Sequence, residues 1–235
     1  MAQGTEHTIK AFDDDIGQLR GLISEMGGRA EAALTAAIEA LVKRDNETAS
    51  RVVIEDKKID ALETEVDKLA VRVIALRAPM ADDLREVVAA LKIAGVVERI
   101  GDYAKSIAKR VPLFESRRMI EPISLIPAMA RVATEMVHDV LDAFAARDAE
   151  GALRVIERDR EVDDFYNSIF RTLVTFMMEN PKTIGEAAHL LFIAKNIERI
   201  GDHATNVAEM VYFAATGHYL ADRERGDNPA DPNEG

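Results

Sequence analysis

An eighteen-residue segment occurs twice in this chain: LKIAGVVERIGDYAKSIA at 91–108 and LFIAKNIERIGDHATNVA at 191–208, in gap-free register at an offset of 100. Upstream of each copy a second pair aligns, RDNETASRVVIEDKKID from Arg44 and RDAEGALRVIERDREVD from Arg147, at an offset of 103. The three-residue difference falls around Pro79 and Pro181, where a hairpin turn absorbs it. Two related segments in the same order describe an internal duplication, and each half must repeat one supersecondary unit.

That unit is helical. Apolar residues recur at spacings of three and four, as in Phe12, Ile16, Leu19, Ile23, Met26, Ala30, Leu34, Ile38 and Leu41. The pattern predicts helices over roughly 8–43, 46–77 and 82–111, then over roughly 122–146, 149–179 and 183–215. Pro79, Pro112 and Asn180-Pro181 break it. The fold class expected is all-α, two tandem homologous three-helix bundles of six long antiparallel helices. Each helix of about 30 residues would span about 40–50 Å at 1.5 Å per residue. The boundaries drawn are 1–115 for the first bundle, 116–217 for the second and 218–235 for a polar, acidic tail expected to be disordered.

Charge and cysteine content exclude several functions. A net charge of −12 repels nucleic-acid phosphates and anionic membranes, so no direct nucleic-acid partner is expected. With no cysteine there is no disulfide, thiolate metal site or Cys nucleophile. No apolar run reaches the roughly 18 residues of a membrane span, and the N-terminal segment lacks a signal-peptide pattern, so a cytoplasmic location is expected.

The chemistry-bearing feature is E-R-I-G-D, present as Glu98 to Asp102 and again as Glu198 to Asp202. A spacing of four places both carboxylates on one helical face, continuing a stripe begun by Leu84 and Leu91, or by Ile184 and Leu191. The preceding helix supplies Asp56 and Asp60, then Asp159 and Asp163, also four apart. Counted from the turns at Pro79 and Pro181, Asp60 stands opposite Glu98 and Asp163 opposite Glu198. Such all-oxygen clusters suit a hard cation such as Fe(III), Mn or Mg. The alternative is a set of interhelical salt bridges with no metal, since Arg99, Arg199, Arg85 and Lys92 lie nearby. Gly101 and Gly201, costly inside helices by about 1 kcal/mol each, imply close packing or an adjacent ligand.

Weaker signals stay in the background. The E-x-x-H pairs Glu135–His138 and Glu186–His189 have the spacing of di-iron ligands, but their heights along the helices disagree. His203 does not share a face with Asp202 and is expected to be a surface or partner-facing group. Met26, Met129, Met136, Met177 and Met178 are expected in the core. No phosphate loop, nucleophile elbow or catalytic triad is present.

Taken with the duplication, ADDLREVVAALKIAGVVERIGDYAKSIA and LFIAKNIERIGDHATNVAEMVY closely resemble the PhoU family of phosphate-uptake regulators, over nearly the whole chain apart from the tail. Met26-Gly27, Asp56, Asp60 and Gly217 also match. The resemblance implies a non-enzymatic negative regulator of phosphate uptake and phosphate-starvation signalling. Its implied partners are the ATPase subunit of the phosphate ABC transporter, a sensor histidine kinase and a second copy in a homodimer. It also implies a carboxylate-bound metal cluster (Fe first, then Mn, Zn or Mg) on Glu98, Asp102, Glu198 and Asp202, with Asp60 and Asp163 and, more remotely, Asp56 and Asp159. The first repeat carries A-D-D-L-R at 81–85 where the second reads K-T-I-G-E at 182–186, so a partner contact through Arg85 would be made once per chain. The readings outside this family are a carboxylate-cluster metalloenzyme and a metal-free helical scaffold.

Overall fold

The computed structural model describes residues 2–114 and 121–220, with side chains described for 11–114 and 123–220. The described residues form α1 (Ala2–Lys43), α2 (Asn46–Glu55), α3 (Lys57–Arg77), α4 (Asp82–Ala108), α5 (Ile126–Ala146), α6 (Ala149–Glu179) and α7 (Ile184–Thr216). Short 3₁₀ turns cover Val111–Leu113, Glu121–Leu125 and Pro181–Thr183. Among the described residues there is no strand, and no helix is long and apolar enough to cross a membrane. The fold is all-α, with α1–α4 forming one antiparallel three-helix unit and α5–α7 its repeat.

Helices α2 and α3 occupy the span predicted for one helix, 46–77, and are interrupted at Asp56. The Asp56 carbonyl accepts from both Ile59 N at 2.8 Å and Asp60 N at 3.3 Å, a local tightening to 3₁₀ geometry. The second repeat has no such break, and α6 runs through. Asp45 starts α2 by accepting from the amides of Glu47 and Thr48, both at 3.0 Å, which satisfies two of the helix's open donors. The turns before α2 and before α6 are alike in detail. Arg44 and Arg147, equivalent under the 103-residue offset, both adopt a left-handed backbone with φ 54°.

The apolar stripes meet in one continuous core. Leu19, Ile23, Met26, Leu34 and Leu41 of α1 pack with Val87, Ile93, Val97 and Ile100 of α4, and with Met129, Met136 and Val140 of α5. Full burial of each such side chain is worth about 1.5–3 kcal/mol. The two repeats join through α1 against α5 and α4 against α7. Both pairs are antiparallel. Gly27 and Glu31 of α1 meet Leu141 and His138 of α5, while Ser106 and Arg110 of α4 meet Asn196 and Phe192 of α7. Met26, Met129 and Met136 lie in the core and Met177 at its edge. Met178, by contrast, is 79% exposed at the end of α6, beside the α6–α7 turn. The expected disorder of the tail concerns 218–235, of which 221–235 lie outside the described residues.

Candidate functional site

The first carboxylate face is assembled where α4 crosses the break between α2 and α3. Gly101 makes this approach possible: a Cβ there would stand 2.8 Å from Ile59 Cδ1 and 3.5 Å from Asp56 Oδ1. Close packing therefore accounts for this mid-helix glycine, and it brings Asp56 and Asp60 alongside Glu98 and Asp102. Lys105 clamps the junction, its Nζ lying 2.5 Å from Asp56 Oδ2 and 3.1 Å from Asp102 Oδ1. Asp56 is only 3% exposed, and burial raises its pKa against the opposing pull of Lys105. The Asp56 bond in turn raises the pKa of Lys105.

Glu98 has no such cation. Among the described residues it makes no ion pair or hydrogen bond. Burial first, then the charges of Asp102, Glu63, Asp60 and Asp56, push its pKa up to about 6. It faces an open groove of about 650 Å³ that also borders Glu63, Gly95, Arg99, His203 and Tyr219.

The second face repeats the backbone arrangement with different charges. Gly201 packs under Val162, the equivalent of Ile59, with its would-be Cβ 3.3 Å from Val162 Cγ1. Glu198 is held by Lys195, one turn earlier on α7, at 2.5 Å. The Lys195 ammonium also lies 5.3 Å from the centre of the Tyr166 ring. Burial leads the upward shift of the Glu198 pKa, with Asp202 and Asp163 adding to it and Lys195 opposing it. The Glu198 Oε2 atom is buried and accepts no hydrogen bond.

Among the described residues, no three His, Asp or Glu side chains converge closely enough to hold one ion in this side-chain arrangement. Two lysine ammonium groups stand among the acids instead. Asp56 and Asp102 pair with Lys105, and Glu198 pairs with Lys195, rather than with the arginines singled out by proximity in sequence. Arg199 lies over Tyr103 at 5.9 Å, and Arg99 and Arg199, after burial, depress the pKa of His203. Sequence reading also passed over Glu63, which joins the first cluster from α3. The signal was present: Lys105 follows Asp102 by three residues, and Lys195 precedes Glu198 by three, both on a shared helical face.

The remaining candidates go elsewhere. His203 is not a surface group; it is half-buried between the repeats, because α7 crosses α4 there and its ring stacks on Tyr103. Glu135 binds Arg158 at 2.7 Å, and His138 meets Glu31 at 3.3 Å. His189 packs edge-on against Phe114. Arg85 donates to Asp82 at 2.5 Å, and its guanidinium lies against Gly217, where a Cβ would stand 3.3 Å from it. With φ 76°, Gly217 closes α7 in a conformation that also needs glycine.

The duplicated helical fold is shared with known proteins. The PhoU domain family model matches residues 23–111 and 126–211. The phosphate-specific transport system accessory protein PhoU homolog of Zymomonas mobilis is 57% identical over 220 residues, covering 94% of this chain and 93% of the relative. The homologue of the same name from Caulobacter vibrioides strain NA1000 is 46% identical, covering 92% and 94%. The crystal structure of PhoU from Pseudomonas aeruginosa superposes with a TM-score of 0.82 at 35% identity, covering 88% of this chain and 100% of that one. A Streptococcus pneumoniae phosphate transport system regulatory protein, at 24% identity and a TM-score of 0.83 over 89% and 99% of the chains, shares the fold. The doubled E-R-I-G-D helices, the matched turns and these matches together place the chain in the PhoU family.

Proposed function

We propose that this protein is a non-enzymatic, cytoplasmic negative regulator of phosphate uptake and phosphate-starvation signalling. In this reading it is an adaptor, contacting the ATPase subunit of the phosphate ABC transporter and the sensor histidine kinase that reports phosphate status, and it works as a homodimer. The observation that carries the reading is the match to the PhoU domain over both repeats, with relatives named as accessory proteins of phosphate-specific transport. Arg85, held at the α4–α7 end of the molecule and unmatched in the second repeat, is the proposed single-copy contact to a partner.

A bound cation belongs to the same proposal. The donor chemistry fits a hard ion, since Asp56, Asp60, Glu63, Glu98 and Asp102 offer only carboxylate oxygens and have one lysine among them. By the repeat, Glu198, Asp202, Asp163 and Asp159 are the corresponding candidates. The ion would neutralise mutually repelling carboxylates and fix α3 against α4; Fe, Mn, Zn and Mg are the candidates.

Deletion of the gene tests the regulatory reading. Phosphate uptake and phosphate-starvation transcripts should rise in phosphate-replete medium, and unchanged repression in the deletion strain would refute it.

A further inference from the structure

The two carboxylate faces have diverged by paired exchanges. Under the repeat offsets, Gly95 corresponds to Lys195, Glu63 to Tyr166 and Lys105 to Thr205. In the first repeat the space beside Glu98 is open. A Cβ on Gly95 would meet only the Glu63 carboxylate, at 3.4 Å, and Glu63 adds a negative charge where the second repeat has a ring. Lys105 is committed to Asp56 and Asp102 and does not reach Glu98.

In the second repeat the same space is filled. The Lys195 ammonium lies 2.5 Å from Glu198, whose side chain is only 13% exposed, and it is backed by the Tyr166 ring at 5.3 Å. Carboxylate on one side and aromatic face on the other are the two kinds of neighbour that hold an ammonium in place. An acid and a void in one repeat have become a ring and a cation in the other.

We infer that Lys195, seated between Glu198 and Tyr166, is a built-in cation that closes the second carboxylate face, so that an external metal ion binds this chain only at the first. This rests on the reading above that PhoU-type carboxylates in this chain take a cation. A free ion arriving at Glu198 would have to displace a tethered ammonium whose effective concentration is set by a three-residue spacing on one helix. At Glu98, which Lys105 does not reach, it meets a carboxylate with no ion pair among the described residues and an open groove.

The test is the number of Mn²⁺ ions bound per chain after chelator treatment, read by titration calorimetry and by elemental analysis of the desalted protein. The native full chain should take one equivalent. Glu98→Gln should abolish it, Glu198→Gln should leave it intact, and the double exchange Lys195→Gly with Tyr166→Glu should raise it to two. Two equivalents in the native chain, with one lost in Glu198→Gln, would overturn the inference while leaving the cation reading in place. So would a single equivalent removed by Glu198→Gln rather than by Glu98→Gln. No binding by either the native chain or the double variant would instead overturn the cation reading, and the inference with it. Because the two Gln variants are decisive by themselves, the test survives a double variant that fails to fold by far-UV circular dichroism.

Discussion

Tyr103 and His203 stack on one another across the two repeats, ring centroids 5.4 Å apart and planes inclined by 22°. They are equivalent residues under the 100-residue offset, so the pseudo-twofold axis relating the repeats passes between them. The duplicated helices α4 and α7 thus meet antiparallel through the same surface on each, the arrangement a two-fold dimer interface uses. The axis sets the two carboxylate faces apart, each looking toward its own α2–α3 or α6 partner. It also lets the faces diverge, because the acids that act on Glu98 all come from the first repeat and those that act on Glu198 from the second.

Glu86 ties the first repeat to the second. It is 5% exposed and forms ion pairs with Arg20 of α1 and with Arg147 in the α5–α6 turn. Glu86→Ala leaves both guanidinium groups without their carboxylate and removes charge-assisted hydrogen bonds. A loss of about 2 kcal/mol is expected in urea denaturation. An unchanged midpoint would show that the link between repeats is not stabilising.

Lys105→Met strands Asp56, the most deeply buried acid described at the first face. Removing one partner of a buried pair is far costlier than removing both, so a loss of about 2–3 kcal/mol is expected. Adding Asp56→Asn should recover at least about 1 kcal/mol of it, and a double-mutant cycle measures this coupling directly. Additive losses would mean that the two groups do not act as a pair.

The two mid-helix glycines should differ in their tolerance of a methyl group. Gly101→Ala drives a Cβ to 2.8 Å from Ile59 Cδ1, whereas Gly201→Ala meets Val162 Cγ1 at 3.3 Å. Overpacking of about 1–3 kcal/mol opposes a helix-propensity gain of about 1 kcal/mol. Gly101→Ala should therefore destabilise, Gly201→Ala should be close to neutral, and Ile59→Val should relieve the first. Thermal melts of the four proteins decide it, and equal effects at both glycines would contradict the packing argument.

Glu31, on α1 beside α5, has its pKa raised, chiefly by burial and against the pull of His138. A carboxyl whose folded pKa lies above its unfolded value favours the fold most when protonated. Its contribution is complete below the ordinary glutamate pKa of about 4.5 and fades as pH rises through the higher folded value. Glu31→Gln should flatten the pH dependence of stability in that window, measured by denaturant titrations from pH 4 to 7. A steeper dependence in the variant would reverse the sign argued here.

Much of this was legible in the residues. The 3.6-residue apolar period, with Pro79, Pro112 and Pro181 as stops, marked out the helices, since burial of one stripe per helix is what the sequence must encode. The doubled E-R-I-G-D and the count from each turn brought Asp60 toward Glu98, because antiparallel helices joined by a short turn keep equal heights. What stayed hidden depends on where long side chains reach. Lys105 and Lys195 could have extended to solvent, and only the packing of α3 and α6 shows them turned onto acids. The Lys105–Asp56 pair and the Tyr103–His203 stack join segments 40 or more residues apart, which no local pattern records. Arg147 binds Glu86 from a turn in the other repeat, and spacing alone gives no sign of it.

The most direct test is phosphate uptake by phosphate-replete cells lacking the gene, complemented either with the native chain or with Glu98→Gln/Asp102→Asn. The native chain is expected to restore repression, and the paired variant, folded to the same helical content, is expected to leave uptake derepressed. Full repression by the variant would contradict a regulatory role for the first carboxylate face, and failure of the native chain to repress would contradict the proposed function as a whole.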